Sequence, residues 1–151
     1  MIAMSLEEKV MAGIKAAMLA KDQRALEALR AVKAEILLLK TAKDAKPITE
    51  DVELKLLQRL AKQRQEAADI YKNSGREDLA AEELAQLKVI TQFLPAQMSE
   101  EEITAALKQL IADNNISGIK EMGKLMGLAS KQFAGKADNK LVSGIVKQLL
   151  S

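Results

Sequence analysis

The sequence contains no cysteine and no histidine. Without cysteine, disulfide bonds and thiolate metal sites are excluded. Without histidine, the chain lacks the commonest general base and the commonest metal ligand, so its own residues cannot form a Ser-His-Asp or Cys-His nucleophile system. We therefore predict no catalytic residue, no metal site and no cofactor.

Long apolar runs are also missing. No window approaches the 18 uninterrupted apolar residues of a membrane span. The opening MIAMSLEEKV has too short an apolar run for a signal peptide and carries acids where a signal peptide carries bases. We expect a cytoplasmic protein without a membrane partner.

Aromatic residues make up only 2% of the chain, with 7 glycines and 2 prolines, so the core must consist of aliphatic side chains and methionine. Ala, Leu, Lys, Glu and Gln dominate what remains, a mixture that favours helix. Apolar residues recur at helical spacing, and no strand pattern is present. We predict an all-α fold with helices at about 6–20, 22–40, 50–73, 77–93, 100–113, 119–133 and 139–150. Met18 and Ile70 are assigned to the apolar faces of the first and third helices.

Local signals mark the helix ends. Ser5, Thr49 and Asp138 are predicted N-caps, and Gly75 is a predicted helix stop. In FLPAQMSEEEI, Pro95 ends one helix, and the S-x-x-E capping box formed by Ser99 and Glu102 starts the next. We therefore predict an N-terminal part of four helices, 1–94, and a C-terminal three-helix bundle, 95–151.

The stretch KEMGKLMGLASKQFAGKAD (120–138) carries a possible function. Residues 120–151 hold six lysines against two acids, a net charge of +4, whereas residues 1–94 hold 16 basic and 15 acidic residues. On a helical wheel the lysines oppose the apolar residues, and Gly123 and Gly127 lie at the edge of the lysine face. The candidate phosphate-binding residues are Lys120, Lys124, Lys131, Lys136, Lys140 and Lys147.

Each of these features also has a plain structural explanation. Lysines on an outward helix face are usually only solvated, and helical glycines more often admit a neighbouring helix than a ligand. We favour that helix crossing for Gly123 and leave Gly127 open between a helix and an RNA backbone. Because aromatic residues are too few for base stacking, the functional alternative is recognition of a folded RNA by shape and charge. Lys55, Arg59 and Lys62 form a second basic flank, which we interpret as an ordinary charged surface.

The sequence resembles the YqeY family in KQRQEAADIYKNSGREDLAAEELAQLKVITQFLPAQMSEEEI (62–103), EMGKLMG (121–127) and AGKAD (134–138). These are small bacterial proteins homologous to the tail domain of the B subunit of the glutamyl/aspartyl-tRNA amidotransferase. Phe93 stands where tyrosine is expected, and Glu121 where aspartate is common. The resemblance implies an N-terminal helical part followed by a three-helix bundle.

In the amidotransferase the tail helps to hold tRNA, while the chemistry resides elsewhere. The resemblance therefore implies a non-catalytic accessory protein that binds tRNA or another structured RNA. The alternative is a protein–protein adaptor for an amidotransferase or aminoacyl-tRNA synthetase complex, docking through its N-terminal helices. Only the resemblance to the larger enzyme implies carbon–nitrogen ligase activity with glutamine as amide donor. No residue of this sequence points to that chemistry.

Overall fold

The structure is a computed structural model that describes residues 4–151. In this range the chain forms seven α-helices, one turn of 3-10 helix (Ile119–Glu121) and no β-strand, which confirms the predicted all-α fold. The α-helices are α1 (Leu6–Ala20), α2 (Gln23–Thr41), α3 (Glu50–Asn73), α4 (Glu77–Thr91), α5 (Glu100–Asp113), α6 (Met122–Gln132) and α7 (Asn139–Leu150).

Polar side chains begin the helices where the sequence predicts them. The hydroxyls of Ser5 and Thr49 each accept a hydrogen bond from the amide three residues further on. The capping box is complete, because Glu102 N donates to Ser99 Oγ at 3.1 Å and Ser99 N donates to Glu102 Oε1 at 3.2 Å. Asp138 caps α7. Each cap satisfies an amide that would otherwise lack a partner and stabilises its helix by about 1 kcal/mol.

The chain divides into two compact units, Met1–Leu94 and Pro95–Ser151. Just before this boundary α4 ends at Thr91, two residues earlier than predicted. The amides of Phe93 and Leu94 then bond to carbonyls only three residues back, both at 3.1 Å. The chain tightens here because Pro95 has no amide to continue the helix and disfavours helical geometry in the residue before it. That the two units fold independently stays a prediction.

In the first unit, α1 and α2 pack side by side, and α4 packs on both α2 and α3. Lys40 near the end of α2 reaches Glu7 near the start of α1 at 2.8 Å, so these two helices run antiparallel. A Cβ added at Gly13 would lie 3.2 Å from Leu29 Cδ2, so this glycine allows α2 to come close. The core of the unit contains the buried residues Leu6, Val10, Ala17, Leu26, Ala28, Leu29, Val32, Ile36, Leu56, Leu57, Leu60 and Ile90.

Two predicted core residues of this unit are wrong. Met18 is 58% exposed and Ile70 is 64% exposed. In α1 the buried residue at this level is Ala17, one position earlier and about 100° around the helix. In α3 the buried residue is Ala68, from which Ile70 lies about 160° away. Apolar spacing alone placed both side chains too near the buried face.

The second unit consists of α5, α6 and α7 around its own core. Its buried residues are Ile103, Leu107, Ile116, Leu125, Ala129, Phe133, Ala137, Val142, Ile145, Val146 and Leu150. The helix predicted at 119–133 starts with the 3-10 turn, so α6 proper begins only at Met122. Gly118 precedes this turn with a φ of 75°, a left-handed conformation that glycine adopts without steric cost.

Candidate nucleic-acid interface

All six candidate lysines are exposed and belong to the second unit. Lys120 lies in the 3-10 turn, Lys124 and Lys131 on α6, and Lys140 and Lys147 on α7. The sixth, Lys136, lies in the connection between α6 and α7. The structure thus distributes the predicted lysines over two packed helices and the segments next to α6.

The α6–α7 connection is fixed in place by the segment that precedes α5. Met98 N donates to the carbonyl of Lys136 at 2.9 Å, and the side-chain amide of Gln97 donates to the carbonyl of Gly135 at 2.8 Å. Gly135 follows the end of α6, as predicted, and has a φ of 75°. The backbone of Lys136 is therefore held while its ammonium group reaches into solvent.

Helix geometry separates the lysine face of each helix from its core face. In α6 the buried residues Leu125 and Ala129 lie about 100° and 140° from Lys124, whereas Lys131 lies only about 20° from it. In α7 Val142 and Ile145 are buried, about 200° and 140° around the helix from Lys140. Each helix buries one side in the core and presents lysine on the other.

Ion pairing distinguishes the two units only in part, because five of the 16 basic side chains in the first unit have an acidic partner. None of the six candidate lysines forms an ion pair with any residue from 4 to 151. The ion pairs of the described chain all lie in the first unit: Lys40–Glu7, Lys55–Asp51, Arg59–Glu35, Arg64–Glu83 and Arg76–Asp78. The positive charge at residues 120–147 is therefore not neutralised locally.

The acids nearest to these lysines in sequence are engaged by backbone amides. Glu121 Oε1 accepts from Ser117 N at 3.2 Å, and Asp138 Oδ1 accepts from Lys140 N at 3.2 Å. Both carboxylates thus hold a local turn or a helix start. Neither forms an ion pair with a lysine among residues 4–151, so the positive charge of this region is unopposed.

The helical glycines on α6 are open to solvent. A Cβ added at Gly123 or Gly127 would meet no atom within 4 Å. The helix crossing that we favoured for Gly123 is therefore wrong, because α6 packs through Leu125 and Ala129 instead. Packing among residues 4–151 explains neither glycine, and each costs its helix about 1 kcal/mol relative to alanine.

A third open glycine was missed from the sequence. Gly144 lies in α7, about 40° from Lys140 and about 60° from Lys147, and a Cβ added there would also meet nothing within 4 Å. The signal was available, since the same wheel that placed the lysines of α7 places Gly144 beside them. Both α6 and α7 therefore expose bare backbone beside lysines.

Short strings within the stretches that carry the family resemblance form helix ends. In REDLA, the guanidinium of Arg76 donates two hydrogen bonds of 3.3 Å to Asp78 at the start of α4. FLP ends the first unit, and SEEE supplies the capping box of α5. In MGKLMG (122–127), Met122 caps the 3-10 turn and begins α6, and the rest of the string carries Lys124 with the two open glycines.

Two of the three residues of the second basic flank, on α3, have acidic partners. Lys55 pairs with Asp51 at 3.1 Å, and Arg59 pairs with Glu35 of α2 at 2.8 Å. These pairs support the interpretation of this flank as an ordinary charged surface.

Chemically, these lysines can bind anions. An ammonium group donates up to three hydrogen bonds and accepts none, so unpaired ammonium groups suit phosphate oxygens. Among residues 4–151 no cluster of three or more acidic side chains is arranged to hold a metal ion. Within the same range, no helix has both the length and the apolar character needed to cross a bilayer.

The fold and this surface define a small, two-unit, all-helical protein with a lysine-rich C-terminal unit. Its sequence matches the family described as Yqey-like protein over residues 7–150. The chain belongs to the YqeY family, which confirms the resemblance seen in its motifs.

A curated relative is the "Altered inheritance of mitochondria protein 41, mitochondrial" of the fungus Pyrenophora tritici-repentis. The two are 32% identical over 147 residues, which is 94% of this chain and 79% of the relative. The family is therefore not confined to bacteria. The name of that relative places it in mitochondria, so a cytoplasmic location for this chain stays a prediction.

Proposed function

We propose that this protein is a non-catalytic RNA-binding accessory protein whose second unit contacts the phosphates of a folded RNA, with tRNA as the first candidate. The observation that carries the proposal is the set of six exposed lysines without an acidic partner, all between residues 120 and 147. Exposed lysines without acidic partners suit an anionic binding partner. The family relationship to the tail of a tRNA-dependent amidotransferase supports tRNA as that partner.

The open glycines add a steric argument to the electrostatic one. Gly127 and Gly144 leave helix backbone uncovered next to lysines, so a phosphodiester chain can approach closer there than it could over a side chain. The chain has one tyrosine and two phenylalanines, too few for a platform that stacks successive bases. Contacts to phosphate and ribose, with little base readout, fit this composition.

A filter-binding titration of tRNA across a salt series tests the proposal. If all six lysines contact phosphates, the slope of log K against log salt should be roughly −4 to −5. The variant Lys124→Gln/Lys131→Gln should bind more weakly and reduce the magnitude of that slope by about 2. Absence of binding at low salt, or a slope unchanged in this variant, would contradict the proposal.

The matched control removes two lysines that have acidic partners in the first unit. Lys40 and Lys55 lie 2.8 Å and 3.1 Å from carboxylates. The variant Lys40→Gln/Lys55→Gln changes the net charge of the protein by the same amount as Lys124→Gln/Lys131→Gln. If binding depends on the second unit, this control should leave the slope nearly unchanged. An equal loss in both variants would indicate attraction by net charge alone.

An adaptor for an amidotransferase or synthetase complex is the second candidate. It is supported by exposed apolar side chains on the first unit, among them Leu19, which is 79% exposed. Pull-down from extract with and without nuclease separates the two functions. Partners that survive nuclease treatment favour the adaptor, and partners that are lost favour RNA binding.

A further inference from the structure

Exposed apolar side chains concentrate on one part of the first unit. Nine large apolar residues are exposed in the described chain, and six of them lie on α1, on α2 or just before α1. On the α1 side these are Met4, Met11, Met18 and Leu19, with exposed fractions of 47–79%. Isolated apolar residues on a surface need no explanation, but a set gathered on one face marks a contact surface.

The methionines follow the spacing of a helix–helix seam. Met11 and Met18 are seven residues apart in α1, so they lie about 20° from each other on the same face. Met4 continues the seven-residue spacing just before the cap residue Ser5. Ile14, partly buried, lies three residues after Met11, which gives the a and d spacing that pairs one helix with another. Methionine side chains adapt readily to such a contact.

Charges on one flank of this seam are arranged for an antiparallel partner with the same sequence. Glu8 lies about 60° and Lys15 about 40° to the same side of Met11. In an antiparallel pair of α1 helices centred near Met11, Glu8 of each copy comes beside Lys15 of the other. A parallel pair would place this flank of each copy on opposite sides of the seam, so Glu8 and Lys15 would not meet.

These two charges are available for such pairing. Among residues 4–151, neither Glu8 nor Lys15 forms an ion pair, and Glu8 has only a 3.3 Å hydrogen bond from the hydroxyl of Ser5. On the opposite flank, Glu7 is already engaged by Lys40 of α2 at 2.8 Å. The unsatisfied charges thus lie on the side of the seam away from α2.

We infer that α1 is a self-association surface, on which α1 of a second copy of this chain packs antiparallel along Met4, Met11 and Met18. The charge pattern favours a second copy as the partner, because Glu8 and Lys15 of one α1 are complementary to Lys15 and Glu8 of an antiparallel α1. One 15-residue helix offers a small area, so the association should be weak and reversible. The inference is independent of RNA binding, which involves the other unit.

The absence of cysteine makes a direct test possible in the full-length chain. Met11→Cys should form a disulfide-linked dimer under mild oxidation, because residue 11 of each copy lies near the two-fold axis. Ile70→Cys is the matched control, at a position that is also exposed but outside the seam. Dimer formation no faster than in this control would overturn the inference.

Mixed single-cysteine variants test the direction of pairing. Met4→Cys and Met18→Cys should cross-link with each other when mixed, whereas Met18→Cys alone should not, because two copies of residue 18 lie about 20 Å apart in an antiparallel pair. The reverse pattern would indicate a parallel pair and overturn the inference.

Charge exchange provides a test without cysteine. Lys15→Glu should weaken self-association by about 5- to 30-fold in sedimentation velocity, because it replaces two attractive pairs with two repulsive ones. Adding Glu8→Lys in the same chain should restore it, since the reversed charges are again complementary. Failure of this rescue in a folded double variant would overturn the inference. A protein that stays monomeric at every concentration would also overturn it, whether or not another protein is found bound to α1.

Discussion

The amide of Leu6, the first residue of α1, donates a 2.7 Å hydrogen bond to Oε2 of Glu53 in the first turn of α3. The two residues are 47 positions apart in sequence, and the bond is partly buried. Leu6 N is one of the amides that a helix start leaves without a partner inside the helix. The Glu53 carboxylate therefore satisfies α1 and at the same time ties its start to α3.

Replacing Glu53 by alanine should destabilise the protein by about 1.5–3 kcal/mol, the range for a hydrogen bond to a charged group. Glu53→Gln should cost less, because the amide oxygen can still accept from Leu6. Urea denaturation followed by circular dichroism measures both. Glu50→Ala is the control, since it removes an exposed acid from the same helical turn. Equal losses at the two positions would show that the helix dipole, rather than this bond, is responsible.

Glycine substitutions should separate packed positions from open ones. Gly127→Ala should raise the free energy of unfolding by roughly 0.5–1 kcal/mol, because alanine favours helix and its Cβ meets nothing within 4 Å. Gly13→Ala should gain less or lose stability, because Leu29 must move to admit a Cβ at 3.2 Å. The difference between the two variants is the quantity to measure. Equal stabilisation by the two variants would mean that Leu29 moves to admit the new Cβ without a cost in stability.

The start of α4 should titrate abnormally. The hydrogen bonds from Arg76 lower the pKa of Asp78, and the backbone amide of Leu79 lowers it further. A lowered pKa means that the pair stabilises the folded state above the ordinary pKa of aspartate, and this contribution is lost as the pH falls through the lowered value. NMR titration of the side-chain carboxyl should show the lowered pKa, and Arg76→Gln should raise it. An unchanged value in that variant would assign the effect to the amide of Leu79.

Local signals explain why helix positions were predictable. Ser5, Thr49, Ser99 and Asp138 act on amides two or three residues away, so their effect is written in a short stretch of sequence. The exposure of Met18 and Ile70 was not predictable in this way, because it depends on whether another helix covers that side. Apolar periodicity identifies a helix, but it misplaced these two side chains by about 100° and 160°.

The candidate interface shows the same division between local and distant causes. The sequence predicts the lysine faces of α6 and α7, because periodicity alone places them opposite the core. It does not predict that Gly123 is open, since this depends on α6 packing through Leu125 and Ala129. Asp138 is a predicted N-cap, but the sequence does not show that Glu121 accepts a hydrogen bond from the backbone amide of Ser117.

The second unit should fold without the first. Residues 95–151 contain a complete core cluster, the capping box of α5, and the bond from Met98 N to the carbonyl of Lys136. A domain of this size buries only about 60% of the surface of its unfolded chain, so we expect low stability but a cooperative transition. Circular dichroism of the fragment during heating measures this.

A fragment that starts at residue 101 is the matched control for this experiment. It keeps nearly all of the core but lacks Ser99 and Met98, and with them the cap and the tie to the α6–α7 connection. We expect it to be less helical and to melt at a lower temperature than 95–151. If both fragments melt alike, the segment before α5 does not hold the unit together. If neither shows a cooperative transition while the full chain does, the second unit requires the first in order to fold.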